Sequence, residues 1–203
     1  LPLPDIPAPT SPTDPNWRQP ITFVTGDLHI DGTYDFSGTV YVTGKIHVNS
    51  GAIITGDGAL VSGDQIHFNN IDGSVGSAVN DIFFYSLDSQ IHFNNCGDVQ
   101  INGLIYAPDD AIKLNNVDDL IVTGGMFAGT DLKLNNFGNL TVTASASKIS
   151  QFAPESFYKA AIDVKTNGYR YVVYVETSWP AELPYDRREK RIEQLTHFRL
   201  SRD

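Results

Sequence analysis

Apolar and polar residues alternate along this chain in short runs, and one run recurs six times. It reads Leu28-His29-Ile30, Ile46-His47-Val48, Ile66-His67-Phe68, Ile91-His92-Phe93, Ile112-Lys113-Leu114 and Leu132-Lys133-Leu134, each apolar, basic, apolar. The last four copies lead into paired asparagines, Asn69-Asn70, Asn94-Asn95, Asn115-Asn116 and Asn135-Asn136. Counted from the first apolar residue, the steps are 18, 20, 25, 21 and 20 residues. Self-similarity at a period near 20 predicts a solenoid, and alternation inside each copy predicts strands. Glycines at 26, 32, 38, 44, 51 and 56 break the early runs. Each is expected at a corner with an unusual φ or a close backbone approach. Three sides per turn give a triangular coil with sides of about 20 Å.

One such turn cannot bury its apolar positions. Stacking the next turn about 4.8 Å along the axis pairs the backbone edges and builds one continuous core. In that register the apolar flanks of the phrase point inward and its middle residue points outward. The fold class expected is therefore all-β. It is a single-stranded β-solenoid (β-helix) of six or seven turns over residues 21–147, with a small C-terminal α+β cap over 148–203. The 25-residue step contains Asn80-Asp81-Ile82-Phe83-Phe84-Tyr85 and is expected to bulge or loop out.

Residues 1–20 have a different texture. Six prolines precede Trp17 and Pro20 follows it. Proline fixes φ and lacks an amide proton, so this stretch reads as an extended, polyproline-like linker outside the core. Beyond Thr143 the period is lost. Ser156–Ala161 and residues 186–198 read as short helices. Ala161–Val164 and Tyr169–Val175 flank Asn167-Gly168, a hairpin signal. Solenoid ends expose unpaired strand edges, so this segment is expected to cap one of them.

Charge narrows the function classes. The net charge is −10, with 4 Lys/Arg against 16 Asp/Glu in residues 1–147 and 10 against 8 beyond. An acidic body argues against broad phosphate binding. The single cysteine, Cys96, excludes an internal disulfide and a cysteine-rich zinc site. No run approaches the roughly 20 apolar residues of a membrane helix, so no membrane insertion by this segment is expected. The chain opens on Leu1 without a signal peptide, as expected of a mature or trimmed product.

Two phrases carry a family likeness: Phe23-Val24-Thr25-Gly26-Asp27-Leu28-His29-Ile30-Asp31-Gly32 and Gly103-Leu104-Ile105-Tyr106-Ala107-Pro108-Asp109-Asp110-Ala111-Ile112-Lys113-Leu114-Asn115. The turn Gly124-Gly125-Met126-Phe127-Ala128-Gly129-Thr130-Asp131-Leu132-Lys133-Leu134-Asn135 follows them. With the proline run before them, residues 1 to about 143 resemble the β-solenoid domain of PilX-like, type IV pilin-associated surface proteins of bacteria. The resemblance implies an extracellular, cell-surface or pilus-associated location, with other pilins or envelope proteins as partners. Some solenoid-bearing members are implicated in DNA uptake or adhesion. It carries no catalytic residue across.

Stacked in register, His29, His47, His67, His92, Lys113 and Lys133 form an outward basic column with neighbours about 5 Å apart. It is the candidate ligand-binding site, for an anionic polymer such as DNA or an acidic glycan, and it would strengthen on acidification. A plain solvated ladder is the structural alternative. The asparagine pairs read as stacked amides at corners that need a left-handed conformation. Asp109-Asp110, Asp118-Asp119 and Asp131 form the densest acidic group, where calcium would find oxygen ligands, although no calcium-binding repeat is present. Phe83-Phe84-Tyr85 and Tyr169, Tyr171 and Tyr174 read as binding platforms or buried faces. No cofactor, metal site or catalytic residue is assigned.

The function expected is thus non-enzymatic: a surface or pilus-associated module, a minor pilin-like component for adhesion or for capture of an extracellular ligand. The alternative is a bactofilin-like cytoskeletal polymer. A polysaccharide-active enzyme ranks third, since the solenoid has only Arg18 at its margin where such grooves carry arginines.

Overall fold

The computed structural model describes residues 6–75, 82–145, 160–166, 169–175 and 201–202. In chain order the strands are β1 (Ile21–Val24), β2 (Leu28–Ile30), β3 (Thr33–Phe36), β4 (Thr39–Val42), β5 (Ile46–Val48), β6 (Ile53–Gly56), β7 (Ala59–Ser62) and β8 (Ile66–Asn69). They continue with β9 (Gly73–Val75), β10 (Ile82–Ser86), β11 (Ile91–Ala107), β12 (Ile112–Ala128), β13 (Leu132–Ala144), β14 (Ala160–Thr166), β15 (Tyr169–Val175) and β16 (Ser201–Arg202). No helix occurs among the described residues.

β1 to β13 form a parallel β-solenoid of about six turns with three sides. One side stacks β2, β5, β8 and the opening segments of β11, β12 and β13. A second stacks β1, β4, β7, β10 and the closing segments of β11 and β12. The third pairs β3 with β6, and β9 with the middle of β11. The inward residues form ladders: Ile46, Ile66, Ile91 and Ile112 on one, Val48, Phe68, Phe93 and Leu114 on the next. All eight are at most 1% exposed. Phe68 and Phe93 stack face to face at 4.3 Å. Stacking is the direct consequence of period-two alternation repeated at a fixed turn length.

The corners use two devices. Asn70, Asn95, Asn116 and Asn136 adopt left-handed φ of 49–55°, a conformation that costs other non-glycine residues about 1–2 kcal/mol. Their side chains also stack, the Asn136 amide donating to Asn116 and Asn116 to Asn95, both at 2.8 Å. Of the early glycines, 26, 38, 51 and 56 have positive φ. Gly44 does not; it is needed because a Cβ there would strike Asp27 and the Gly26 backbone, whereas Gly32 departs from the expectation, with no positive φ and nothing within 4 Å of a Cβ.

Two expectations are corrected. Ile82–Ser86 does not loop out: it is the fully buried strand β10, in register between β7 and β11. Asn80 and Asp81 of the same step lie outside the described residues. Nor is the proline-rich leader a free spacer. Ile6 and Trp17 are 4% and 9% exposed and belong to a second apolar cluster outside the solenoid wall, with Ile21, Val61, Phe83, Tyr85, Leu104, Tyr106 and Phe127. Trp17 lies parallel to Phe83 and Tyr85 at 6.1 and 6.0 Å. Its indole N–H donates to the Pro7 carbonyl at 2.8 Å, and the Tyr85 hydroxyl donates to the Ile6 carbonyl. β10 is therefore buried on both faces, the reason it reads as a continuous apolar run rather than an alternating one.

β14 and β15 pair antiparallel from Ala160↔Val175 to Thr166↔Tyr169, with β16 beside Tyr169 and Arg170. This is the hairpin expected at Asn167-Gly168. Ala160 and Ala161 belong to β14 rather than to a helix. The rest of the two expected helices lies outside the described residues.

Candidate functional site

The side built from β2, β5, β8 and the openings of β11 to β13 carries the basic column. Register pairs His29 with His47, His47 with His67, His67 with His92, His92 with Lys113, and Lys113 with Lys133. All six residues are brought into one file, pointing away from the core because both neighbours of each point into it. The imidazoles touch. His29 and His47 stack at 4.6 Å with planes 6° apart, and His67 and His92 at 5.0 Å with planes 10° apart. Between these pairs, His47 and His67 meet edge to face at 6.1 Å.

Two further columns flank this file. On one side Asn69, Asn94, Asn115 and Asn135 form a directional amide chain, the Nδ2 of each of the last three donating to the Oδ1 of the preceding turn at 2.6–3.2 Å. On the other, the backbone carbonyls of Lys45, Gln65, Gln90, Ala111 and Asp131 accept from the amides of Leu28, Ile46, Ile66, Ile91 and Ile112, each in the preceding turn. Sequence reading passed over Lys45, Gln65 and Gln90. The signal was available, since each stands immediately before a copy of the phrase. Gln90 Oε1 and His67 Nε2 are buried without a hydrogen-bond partner among the described residues.

Carboxylates line the same margin. Asp27 lies 4.0 Å from His47 Nε2, Asp64 lies 4.0 Å from Lys45, and Asp131 lies 3.6 Å from Lys133. The two lysine pairs are exposed and His47 is partly so, and each pair contributes little to stability. The candidate calcium residues are not gathered into one site. Asp110 Oδ1 accepts from the Ala111 amide at 2.7 Å, and Asp119 Oδ1 accepts from the Asn139 backbone and side chain at 3.2 and 2.8 Å. Among the described residues no group of three or more His, Cys, Asp or Glu side chains converges as metal ligands would. Phe83, Phe84 and Tyr85 are core rather than an exposed platform. Cys96 is buried in the main core, where burial pushes its thiol up.

The histidines hold their protons poorly. His47, His67 and His92 all fall below the ordinary imidazole value. Burial is the largest cause for each. Next comes repulsion from the adjacent histidine, His29 for His47, His47 for His67 and His67 for His92, with Lys45 or Lys113 adding to it. The Asp27 carboxylate opposes the shift at His47 alone. Unfolded, these residues titrate near 6.5. Below that the unfolded chain binds more protons than the folded one, so folding stability is full above about pH 6.5 and declines as pH falls through the depressed folded values. Thermal melts are therefore expected to fall between about pH 7.5 and 5.5. The variant His47→Gln, His67→Gln, His92→Gln should flatten that fall, and parallel profiles would remove the ladder as its source.

Among the described residues no helix is long and apolar enough to cross a membrane. No curated protein matches the chain, and no solved structure does. Residues 18–147, more than half of the chain and the whole of the described solenoid, match the family model described as Domain of unknown function (DUF7305), and the chain belongs to that family.

Proposed function

We propose that this protein is a non-enzymatic solenoid module of the bacterial cell surface, pilus- or envelope-associated, that captures an extracellular anionic polymer on its histidine–lysine face. The observation that carries the reading is the register. A basic side chain occupies the same outward position in all six turns, on a body whose other charge is overwhelmingly acidic. The PilX-like resemblance of the same turns supports the location and the pilin or envelope partners. DNA and acidic glycans are the two ligand classes that fit a basic column.

Replacing His67, His92, Lys113 and Lys133 together with alanine tests it. None of the four side chains lies inside the core, so the fold is expected to persist by circular dichroism. Affinity for a panel of DNA and acidic polysaccharides should fall by about tenfold or more, and its salt dependence should flatten as fewer counterions are exchanged. Unchanged affinity and salt slope at about pH 6 would refute the assignment.

One observation favours the second reading, a bactofilin-like polymer. Among the described residues, β1, β2 and β3 are each paired on one side only, and so is β13 at the other end. Parallel edges of this kind can stack head to tail into filaments. Light scattering at moderate salt separates the readings, since filaments appear only under the second.

A further inference from the structure

We infer that the occupant of the basic column is a single-file acidic polysaccharide, with one carboxylate per sugar, lying along the solenoid axis and bound together with protons taken up by the histidines. This rests on the reading of the column as a ligand-binding face, and it names which polyanion fits.

Width comes first. The column is one side chain wide, and its margin holds Asp27, Asp64 and Asp131 within 4.0 Å of His47, Lys45 and Lys133. Duplex DNA carries a charge every 1.7 Å or so of its axis on a broad cylinder. Laid on this face, it would press phosphates against those carboxylates. A thin chain with one charge per sugar brings fewer anions against them than a duplex does.

Spacing comes second. The column offers one basic group per turn, about 4.8 Å apart, close to the length of one sugar in an extended chain. Successive sugars of an extended polyuronate turn over, so every second carboxylate faces the column at about every second rung, whereas each strand of duplex DNA crowds a phosphate into about 3.4 Å of axis. The third observation is the neighbouring amide chain. Asn94 and Asn115 each use one N–H and the carbonyl oxygen along the ladder, leaving the second N–H of each amide for a ligand. Hydroxyl-rich sugars use such donors beside their carboxylates.

Proton coupling follows from the stacking. Rings 4.6–6.1 Å apart repel one another once charged. The groups facing them are Lys45 and Lys113, which oppose protonation, and Asp27, which favours it at His47. A carboxylate set between two rungs tips that balance, so each bound chain brings protons with it. By linkage, affinity must then rise as pH falls.

Calorimetry on the full chain tests the inference with oligogalacturonate long enough to span six turns, its methyl ester, and single- and double-stranded DNA. Titrations are run at about pH 5.5 and 7.5 in buffers of different ionisation enthalpy. Oligogalacturonate is expected to bind at the lower pH with uptake of about one proton or more, equivalent to about tenfold in affinity per pH unit. The methyl ester should not bind, and His67→Gln with His92→Gln should reduce the proton uptake. DNA binding as tightly as oligogalacturonate would overturn the glycan assignment while leaving the capture face standing. Equal affinity at both pH values without proton uptake would overturn the coupling. No binding of any polyanion at either pH would overturn this inference and the proposed function together.

Discussion

Substituting alanine for Gly103 is expected to unfold the solenoid or to cost about 3 kcal/mol or more. Gly103 sits at the corner where β11 turns onto the side it shares with β10, at a φ of 153°. A Cβ there would fall inside the Ile82 carbonyl oxygen and against the rest of the Ile82 backbone. Neither partner can yield alone, because both are held in the same parallel ladder. The constraint recurs along the stack: Gly124 meets the Gly103 carbonyl and Gly56 meets the Phe36 carbonyl in the same way. Gly32→Ala is the matched control, with nothing within 4 Å of its Cβ and no positive φ. It should change stability by no more than about 1 kcal/mol, in either direction. Chemical denaturation read by circular dichroism compares the two. If Gly103→Ala were as stable as Gly32→Ala, close backbone stacking would not be what selects glycine at these corners.

Trp17→Ala is expected to destabilise the protein by about 3–5 kcal/mol, the range for deleting a buried aromatic side chain. For a chain of this size that lowers the melting temperature by about 10 °C. The indole covers Phe83 and Tyr85, and its removal bares both rings as well as freeing the Pro7 carbonyl. Trp17→Phe should keep most of the apolar cover and lose mainly the hydrogen bond, worth about 1 kcal/mol. A melting temperature unmoved by Trp17→Ala would restore the leader to the status of a spacer.

These two expectations differ in how far the sequence announces them. The glycine corners were legible, because breaks between short alternating runs have few physical explanations. So was the column, since a residue between two inward neighbours on a strand must point outward. The left-handed corner asparagines were legible too, from residue chemistry and position. The leader was not. Its prolines satisfy every local rule for a linker, and nothing near them in the chain says what they touch. Ile6 meets Tyr85 across 79 residues. The run Ile82-Phe83-Phe84-Tyr85 held the complementary sign, a strand apolar on both faces, but a long step in the repeat suggested a loop instead.

The candidate site shows the same division. The sequence names the six basic residues and implies their spacing. It does not show that four imidazoles press against one another, that a polarised amide chain runs beside them, or that carboxylates crowd one margin. Those contacts make His47, His67 and His92 harder to protonate than free imidazoles.

By itself, the sequence determined the repeat, the inward and outward assignment of each phrase, and the corners. All three follow from local geometry enforced six times over: a two-residue alternation, a fixed turn length, and backbone angles that only glycine and asparagine take easily. The tertiary structure alone decided what covers the outer wall and how the basic groups meet. An outward aromatic position reads the same whether water or a distant segment lies over it, and the protonation of a stacked imidazole depends on neighbours about twenty residues away in the chain.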